Sequence, residues 1–525
     1  MKIDAEQLPS DTQALRQIIV ELLTENETLK ETLMRMRQAR FGSSSEKLND
    51  KQIQLIFEDL LVDALQSPIA ETDVEENTES TDTTNHNTPK RKPRRQPLPA
   101  HLPRVENRLD LTAAEKVCPC CQGALHQIGE DSAEKLGYIP PQYWIELLIR
   151  PKYACRQCED AVYQKPVPLS SNPKGLLAGS LQAQIVVSKY ADHQPLHRQR
   201  RIMQRSGIEL PVSTLSDSCA QVAAQLKPLA ELIRDKMLQS SAVFTDDTIL
   251  PRNNGPGSGQ GRVNQSRLWV YLGGVRDGPI SAYYHYTPDR RGKAPQGILA
   301  NYQGFLQADA YPGYNALYLK RGQADQAVIV EVACMAHVRR KFKEATLGLR
   351  PDNAGLAFEA LLQIKCLYTI EARIRDGSDA ERKQQRQLEA KPVMAKFKQW
   401  LDRTVLLVGR KSHLYVALRY ALNQWAGLQT YLDHGFLEID NNAAERSMKP
   451  IALGRKNFLF VGSDKGGETA AVLYSVLETC KLNHVDPSAY LTDVLARLPT
   501  TPEQDLEKLL PYHWKAIEQP RSKVG

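Results

Sequence analysis

The sequence lacks any long apolar run. Across 525 residues, no stretch approaches the ~18 consecutive apolar residues that a membrane-spanning helix needs. The opening residues, MKIDAEQLPSD, contain no basic segment followed by an apolar one, and we therefore expect no signal peptide. We predict that the chain does not associate with a membrane.

Cysteine is also scarce. Nine cysteines in a chain of this length, without a secretory signal, argue against a disulfide framework. A reducing compartment, the cytoplasm, is the expected location.

Neither sign of charge dominates. The 68 Lys and Arg residues exceed the 61 Asp and Glu residues to give a net charge of +7, which permits nucleic acid as a partner without requiring it. The basic residues are nevertheless clustered, in PKRKPRRQP (89–97), HRQRR (197–201) and HVRRKFK (337–343).

The N-terminal region, 11–66, has the spacing of a dimerising helix. Its apolar residues alternate steps of four and three, and Asn26 falls on an a position, where a buried amide pair favours a two-stranded coiled coil. A single amphipathic helix packed on its own protein would show the same spacing. The residues concerned are Leu15, Ile19, Leu22, Asn26, Leu29, Leu33 and Met36.

The composition changes between 67 and 100. An acidic, polar stretch is followed by PKRKPRRQPLP, and such a segment has too little apolar surface to offset its ordering entropy. We predict a flexible linker. Its basic half either contacts DNA phosphates or is simply solvated.

A zinc module is predicted for 101–170. Cys118 and Cys121 form one CxxC pair, and Cys155 and Cys158 form another. Four thiolates satisfy tetrahedral Zn²⁺ and leave no position for water, so this single zinc should be structural. Cys120 is a possible competitor, and the alternative is a set of redox-active or merely buried cysteines.

A helix-turn-helix is predicted for 171–235. A basic helix carrying Arg198, Arg200 and Arg201 ends near Gly207, and Ser213 is placed to cap a second short helix. This arrangement suits docking of the second helix in a major groove. Two helices that simply pack together would give a similar pattern.

From 241 the pattern changes to strands. Three β-rich runs, SAVFTDDTIL, RLWVYLGG and ISAYYHYT, precede a short helix, and GFLQADAY and AVIVEVACM then read as further strands. The glycine-rich NNGPGSGQG (253–261) lacks the lysine and hydroxyl of a P-loop and reads as a mobile hairpin loop. This order matches a ribonuclease-H-like fold.

The predicted strands place two acids together. Asp246 and Asp309 each lie toward the end of a strand, and adjacent carboxylates repel unless cations lie between them. A third carboxylate would complete a two-metal site, and Glu445, on the first turn of a predicted helix, is the candidate. Asp247 and Asp440 are rivals that spacing alone does not eliminate.

At this point the sequence resembles the insertion-sequence-66 family of transposases, which are of the DDE type. The resemblance runs from about residue 35 to 500. Its motifs, besides the paired CxxC, are QARFGSSSEKL, QPLHRQRRIMQRSGIELPVSTLSD, LQADAYPGYN, CMAHVRRKF, IDNNAAERSMKPIALGRKNFLFVGSDKGGETAA and LYSVLETCKLNHVDPSAYLTDVLARLP.

The resemblance implies a catalytic core at 240–470 with a helical insertion at about 345–435, followed by a C-terminal element at 471–525. It carries over Asp246, Asp309 and Glu445 as catalytic, metal-binding acids, with Mg²⁺ or Mn²⁺ as the metal, two ions per site. Asp247 replaces the usual Glu, and Cys219 stands where Trp is expected. The fold class is therefore multidomain α/β plus α.

The implied activity is metal-dependent hydrolysis at element ends and strand transfer into target DNA. The implied partners are double-stranded DNA (terminal repeats and target), a second copy of the chain, and small accessory proteins from the same element, in a bacterial cytoplasm. The alternatives are a nuclease of the same fold without strand transfer, and a DNA-binding regulator with an inert core.

Several cations near these motifs are candidates for DNA contact, since cations bind phosphates without reading sequence. A solvated basic face is the simpler interpretation. His337 and Cys334 form a lone CxxH pair, which we do not interpret as a ligand set, and Trp400 and Trp425 are expected in the core. The cations are Arg339, Arg340, Arg446, Lys449, Arg455 and Lys456.

Overall fold

The computed structural model describes residues 120, 122, 142–154, 162–165, 175–253, 263–318, 329–347 and 355–516. The chain divides into two units, 45–149 and the remainder. In the first unit the described residues are all exposed. The predicted coiled coil, the linker and the four zinc cysteines lie outside the described residues.

The described part of the larger unit starts with a hairpin and three helices. Strands β1 (Lys152–Ala154) and β2 (Val162–Gln164) pair antiparallel. Helices α1 (Gly179–Tyr190), α2 (Leu196–Arg205) and α3 (Val212–Met237) follow.

The predicted turn between α2 and α3 is confirmed, but two details of the prediction are wrong. Gly207 has a φ of +78°, a conformation in which glycine is favoured. Helix α3 is not short, because it runs for 26 residues, and its N-cap is Pro211 without a side-chain cap. Ser213 already lies inside the helix and does not cap it.

Five strands form one mixed sheet in the order β5-β4-β3-β6-β7. The first three pair antiparallel, and β6 and β7 continue parallel to β3. This confirms the succession of elements predicted from the sequence, three antiparallel strands followed by a short helix and further strands. The strands are β3 (Ala242–Asn253), β4 (Val263–Gly273), β5 (Ser281–Thr287), β6 (Gly304–Ala308) and β7 (Ile329–Ala333).

Both faces of the sheet are buried. In β4, Leu268 and Val270 point into one core, whereas Trp269 and Tyr271 point into the other, as the two-residue period of a strand requires. The sheet therefore forms the middle layer of the unit.

The remaining elements are mostly helical and surround the sheet. Short helices α4 (Lys293–Ile298) and α5 (Asn315–Tyr318) flank β6. After β7 come α6 (Met335–Thr346), α7 (Gly355–Arg373), α8 (Asp379–Gln385), a π turn (Arg386–Ala390), α9 (Lys391–Leu407), α10 (His413–Asn423), α11 (Trp425–Gln429), α12 (Asn442–Phe458), α13 (Asp464–Leu482) and α14 (Pro487–Arg497).

Helix α13 covers the outer edge of the sheet. Ser475 Oγ accepts a hydrogen bond from the main-chain N–H of Tyr284 at 2.8 Å, and Thr479 Oγ1 accepts one from Ala282 at 3.1 Å. An exposed strand edge would otherwise offer these groups to another chain. Helix α13 thereby closes this side of the sheet.

The helices between β7 and α12 have an aromatic core. Phe397 lies 6.0 Å from both Trp400 and Trp425, measured between ring centroids. Both tryptophans pack against buried residues, which agrees with their predicted core role. Within the described residues, none of the helices is long and apolar enough to cross a bilayer.

Candidate active site

The parallel pairing of β3 and β6 brings two acids alongside each other. Phe244 of β3 pairs with Gln307 of β6. Two residues further along, Asp246 in β3 is therefore placed beside Asp309, which directly follows β6. Because residues i and i+2 share a face of a strand, Asp246 lies on the opposite face of β3 from Asp247. The sequence prediction that Asp246 and Asp309 are neighbours is consistent with this register.

The electrostatics of these two acids are those of a crowded anionic site. Burial raises the pKa of Asp246 to about 7, and the carboxylates of Asp309 and Glu445 act in the same direction. Burial also raises the pKa of Asp309, while His337 and Arg290 oppose that rise. Buried carboxylates that raise one another's pKa bind protons or cations in compensation.

Helix α12 carries the third acid, Glu445. Asn441, at the N-cap, donates from Nδ2 to the Thr245 carbonyl at 2.8 Å and from its main-chain N–H to Cys334 Sγ at 3.2 Å. These bonds fix the start of α12 between β3 and α6. Glu445, on the first turn of α12, is thereby carried toward Asp246. Asp246 lies inside β3, which continues to Asn253, and not near the end of the strand as the sequence suggested.

The two rival acids are already engaged. Asp247, whose side chain is 2% exposed, binds Arg267 at 2.9 Å and Arg290 at 2.8 Å, one guanidinium on each oxygen. Asp247 is therefore unsuited to ligate a metal.

Asp440 has a local structural role. Its carboxylate accepts hydrogen bonds from the Tyr368 hydroxyl at 2.8 Å and from the main-chain and side-chain N–H groups of Asn442 at 3.0 and 2.6 Å. These contacts shape the turn before α12.

A histidine also lies in the site, which the sequence analysis did not recognise. Ligand atoms of Cys334, His337 and Glu445 lie within 4.8 Å of one another. His337 Nδ1 is 3.6 Å from Glu445 Oε1, and this buried nitrogen has no hydrogen-bond partner among the described residues. A CxxH pair was visible in the sequence, but only the approach of α6 to α12 adds the third donor.

Burial of His337 and the adjacent Arg340 lower the pKa of this imidazole, with burial the larger cause. Arg340 Nη2 also lies 3.3 Å from Glu445 Oε2. The carboxylate of Glu445 is thus held between a guanidinium and an imidazole.

The other predicted DNA-binding cations of α12 fall into two groups. Arg446, Lys449 and Lys456 are exposed and lie along one stripe of the helix, given its 3.6-residue period. Arg455 is half-buried, and its Nη1 donates to the Ile249 carbonyl at 2.7 Å and to Thr248 Oγ1 at 3.1 Å. Arg455 therefore ties α12 to β3.

The basic helix α2 lies beside the end of α12. Arg198 Nη1 donates to Asn457 Oδ1 at 3.2 Å, and Arg200 lies 4.0 Å from Glu209. Arg201, like Arg339 on α6, is exposed. These arginines therefore share one unit with the acids, although no contact here identifies DNA as their partner.

Comparison with protein families gives four matches along the chain. Residues 174–469 match the model described as "Transposase IS66 family". Residues 115–159 match "zinc-finger binding domain of transposase IS66", 475–512 match "IS66 C-terminal element", and 28–106 match "Transposase C of IS166 homeodomain".

Two similar curated proteins come from Sinorhizobium fredii. The uncharacterized protein y4jD is 35% identical, covering 98% of this chain and 99% of the relative. The uncharacterized protein y4hP is 36% identical, covering 76% and 73%. Among solved structures, the "Drosophila P element transposase strand transfer complex" matches 63% of this chain and 94% of that chain at 11% identity, with a TM-score of 0.24.

Proposed function

The chain belongs to the IS66 family of transposases and acts on DNA as a transposase, and we propose that Asp246, Asp309 and Glu445 are its catalytic acids. The single observation that carries this proposal is their convergence. Asp246 lies on β3 and Asp309 directly follows β6, its parallel partner strand. Glu445 lies on a helix whose N-cap is bonded to β3.

We propose further that the sheet is a ribonuclease-H-like core. Its strand order, its three antiparallel strands followed by two parallel ones, and the helix carrying the last acid all support this. The helices between 355 and 433 then form the insertion, and 471–525 the C-terminal element. The N-terminal 11–66, 67–100, 101–170 and 171–235 are the proposed dimerisation, linker, zinc and helix-turn-helix regions.

The donor set fits divalent metal ions of the Mg²⁺ or Mn²⁺ type, which prefer carboxylate oxygen. The raised pKa of Asp246 supports this fit, because burial and, to a smaller extent, the neighbouring carboxylates disfavour its charged form unless a cation is present. Asp246, Asp309 and Glu445 would hold two ions. Bound there, the metals would activate the attacking oxygen and stabilise the leaving one.

The chain's own residues have separate tasks in this mechanism. Arg340 and His337 orient the carboxylate of Glu445, and Asn441 keeps it in register with β3. The exposed Arg446, Lys449 and Lys456 bind backbone phosphates. Positioning and charge stabilisation then supply the catalysis.

Two chemically similar steps follow from this site. Water attacks the phosphodiester at the element end, and the broken P–O bond leaves a 3′ hydroxyl. That hydroxyl attacks a target phosphodiester in line, so one P–O bond forms as another breaks. No nucleotide hydrolysis is needed, because bonds of the same kind are exchanged.

A zinc site in the N-terminal region is proposed at Cys118, Cys121, Cys155 and Cys158. Strand β1 ends at Ala154, directly before Cys155, and β2 begins at Val162, shortly after Cys158. Their antiparallel pairing places Ala154 opposite Val162. We propose a dimer or larger assembly, and small accessory proteins, as further partners.

The proposal is tested with purified protein, end-labelled DNA from the element's terminus and a target plasmid, in Mg²⁺ or without divalent metal. Asp309→Asn should keep end binding and lose joining by at least about a thousandfold. Asp402→Asn, an exposed acid paired with Lys398, is the matched control and should behave like wild type.

Three other results of this experiment would contradict the proposed function or its assignment to these acids. Retained strand transfer in Asp309→Asn contradicts the assignment of the acids. Cleavage without joining, with the accessory proteins present, indicates a nuclease. Specific binding without chemistry indicates a regulator.

A further inference from the structure

Arg290 lies beside the second catalytic acid but has no place in the mechanism above. It belongs to the segment between β5 and α4, and its Nη2 is 3.9 Å from Asp309 Oδ2. The side chain is 40% exposed. The side chain of Arg290 therefore reaches the site and remains partly open to solvent.

The guanidinium of Arg290 is fixed by a buried acid. Its Nε and Nη2 donate to Asp247 Oδ1 at 3.0 and 2.8 Å. Asp247 is in turn held by Arg267, which donates to Oδ2 at 2.9 Å. One carboxylate between two guanidiniums leaves the group of Arg267, Asp247 and Arg290 with a net positive charge.

Tyr311 completes the support. The guanidinium carbon of Arg290 lies 4.3 Å from the centroid of the Tyr311 ring, a cation–π geometry. The Tyr311 hydroxyl donates to the Arg290 main-chain carbonyl. The main-chain N–H of Tyr311 also donates to Asp309 Oδ1 at 3.1 Å, so the same residue holds both the arginine and the acid.

We infer that Arg290 binds a DNA phosphate in the active site, using the solvent-facing part of its guanidinium, and that Asp247 and Tyr311 position it. The inference rests on the proposed function, since it assumes DNA at Asp309. A planar guanidinium suits a phosphate because it offers parallel donors to two oxygens. Pre-positioned donors also cost no reorganisation when charge develops on the phosphate.

The competing explanation is purely structural, with Arg290 only offsetting the charge of Asp309. In that case no individual phosphate would depend on Arg290. The two explanations therefore make different predictions. Only phosphate binding makes the effect of an Arg290 substitution on DNA affinity depend on the charge of one particular phosphate.

The test is a double-mutant cycle between protein and DNA. Terminal DNAs carrying a neutral methylphosphonate at single positions around the cleavage site are bound to wild type, Arg290→Gln and Arg290→Lys. Binding is measured by fluorescence anisotropy in Ca²⁺, with thermal melting of each variant as a check on folding. Arg291→Gln is the matched control, because Arg291 is 78% exposed and pairs with Asp289.

At one position, the methylphosphonate should weaken wild-type binding about tenfold and weaken Arg290→Gln binding less than twofold. Arg291→Gln should respond like wild type. If Arg290→Gln does not fold, Arg290→Lys gives the same readout, with a reduced coupling because lysine lacks the planar fork.

Equal methylphosphonate effects in wild type and the Arg290 variants at every position would overturn the inference. A change confined to the Mg²⁺ concentration needed for joining would also overturn it, in favour of a structural role. Failure of the proposed function appears elsewhere, as absence of Mg²⁺-dependent cleavage by wild type. The double-mutant cycle can still be measured in that case, because it depends on DNA binding and not on cleavage.

Discussion

Asn441 Nδ2 donates a 2.8 Å hydrogen bond to the main-chain carbonyl of Thr245. Thr245 directly precedes Asp246 in β3, and Asn441 is the N-cap of the helix that carries Glu445. Both Asn441 and Thr245 are fully buried, at 0% exposure. One side-chain hydrogen bond thus joins the strand of the first acid to the helix of the third, across almost 200 residues of sequence.

Asn441→Ala should therefore impair both stability and catalysis. Loss of the donor leaves the Thr245 carbonyl buried without this partner, at a cost of about 1–3 kcal/mol. Displacement of Glu445 should slow strand transfer at least about tenfold. Denaturant unfolding and joining kinetics measure the two effects. Asn457→Ala, which removes two exposed hydrogen bonds, one from Arg198 and one to the Leu453 carbonyl, is the control. Equal effects from both variants would contradict the argument.

The pKa of Asp246 predicts a pH-dependent stability in the absence of divalent metal. Because the pKa is raised from 3.8 to about 7, the folded state binds this proton more tightly than the unfolded state does. The resulting stabilisation is complete below about pH 4 and disappears as pH rises through 7. Asp246→Asn cannot titrate and lacks this dependence.

Thermal melting in metal-depleted buffer measures this effect. The melting temperature of wild type, relative to Asp246→Asn, should fall between pH 5 and 8. Added Mg²⁺ should raise the wild-type melting temperature more at pH 8 than at pH 6, because it binds the ionised acid. A wild-type profile parallel to that of Asp246→Asn would refute the prediction.

Arg386 should be a stability determinant of the helical region. It is 0% exposed, forms a bidentate pair with Glu371 at 2.8 and 2.7 Å, and donates to the Leu437 carbonyl shortly before α12. Arg386→Ala leaves Glu371 buried without its main partner and should cost about 3–5 kcal/mol.

The control for this prediction is Arg373→Ala. Arg373 pairs with Glu389 on the surface and is 61% exposed, so its loss should change stability little, because solvent screens exposed ion pairs. Unfolding curves of both variants give the comparison. Similar stability for the two would show that the Arg386 network contributes little.

The proposed four-cysteine site predicts the number of zinc ions bound per chain. Elemental analysis should find about one zinc per chain in wild type. Cys155→Ser should lose it, whereas Cys120→Ser should retain it, because Cys120 is an exposed free thiol. Zinc lost only in Cys120→Ser would show that the site uses a different set of thiols.

Much of the sheet was predictable because its signals are local. Apolar, β-branched and aromatic runs marked all five strands. Acids on or directly after two of them indicated the site, although β3 continues well beyond Asp246. The length of α3 was not predictable from the helix-turn-helix pattern. Its later residues continue as a core helix, with Leu226, Leu229 and Ile233 all at 0% exposure.

The partners of the acids were the least predictable feature, because they depend on tertiary contacts. Asp247 and Asp440 resembled possible ligands until Arg290 and Tyr368 were seen to engage them. His337 reaches the site only because α6 packs beside the start of α12. Spacing along the chain carries no information about such distant contacts.

The central claim is that Asp246, Asp309 and Glu445 hold divalent metal, and iron-directed backbone cleavage tests it most directly. Fe²⁺ replaces Mg²⁺ in the purified protein, ascorbate and peroxide generate short-lived hydroxyl radicals at the ion, and mass spectrometry locates the cuts. The predicted result is cleavage near residues 246, 309 and 445, suppressed by excess Mg²⁺ and lost in Asp309→Asn. Cuts elsewhere, or cuts at these positions that persist in Asp309→Asn, would contradict the claim.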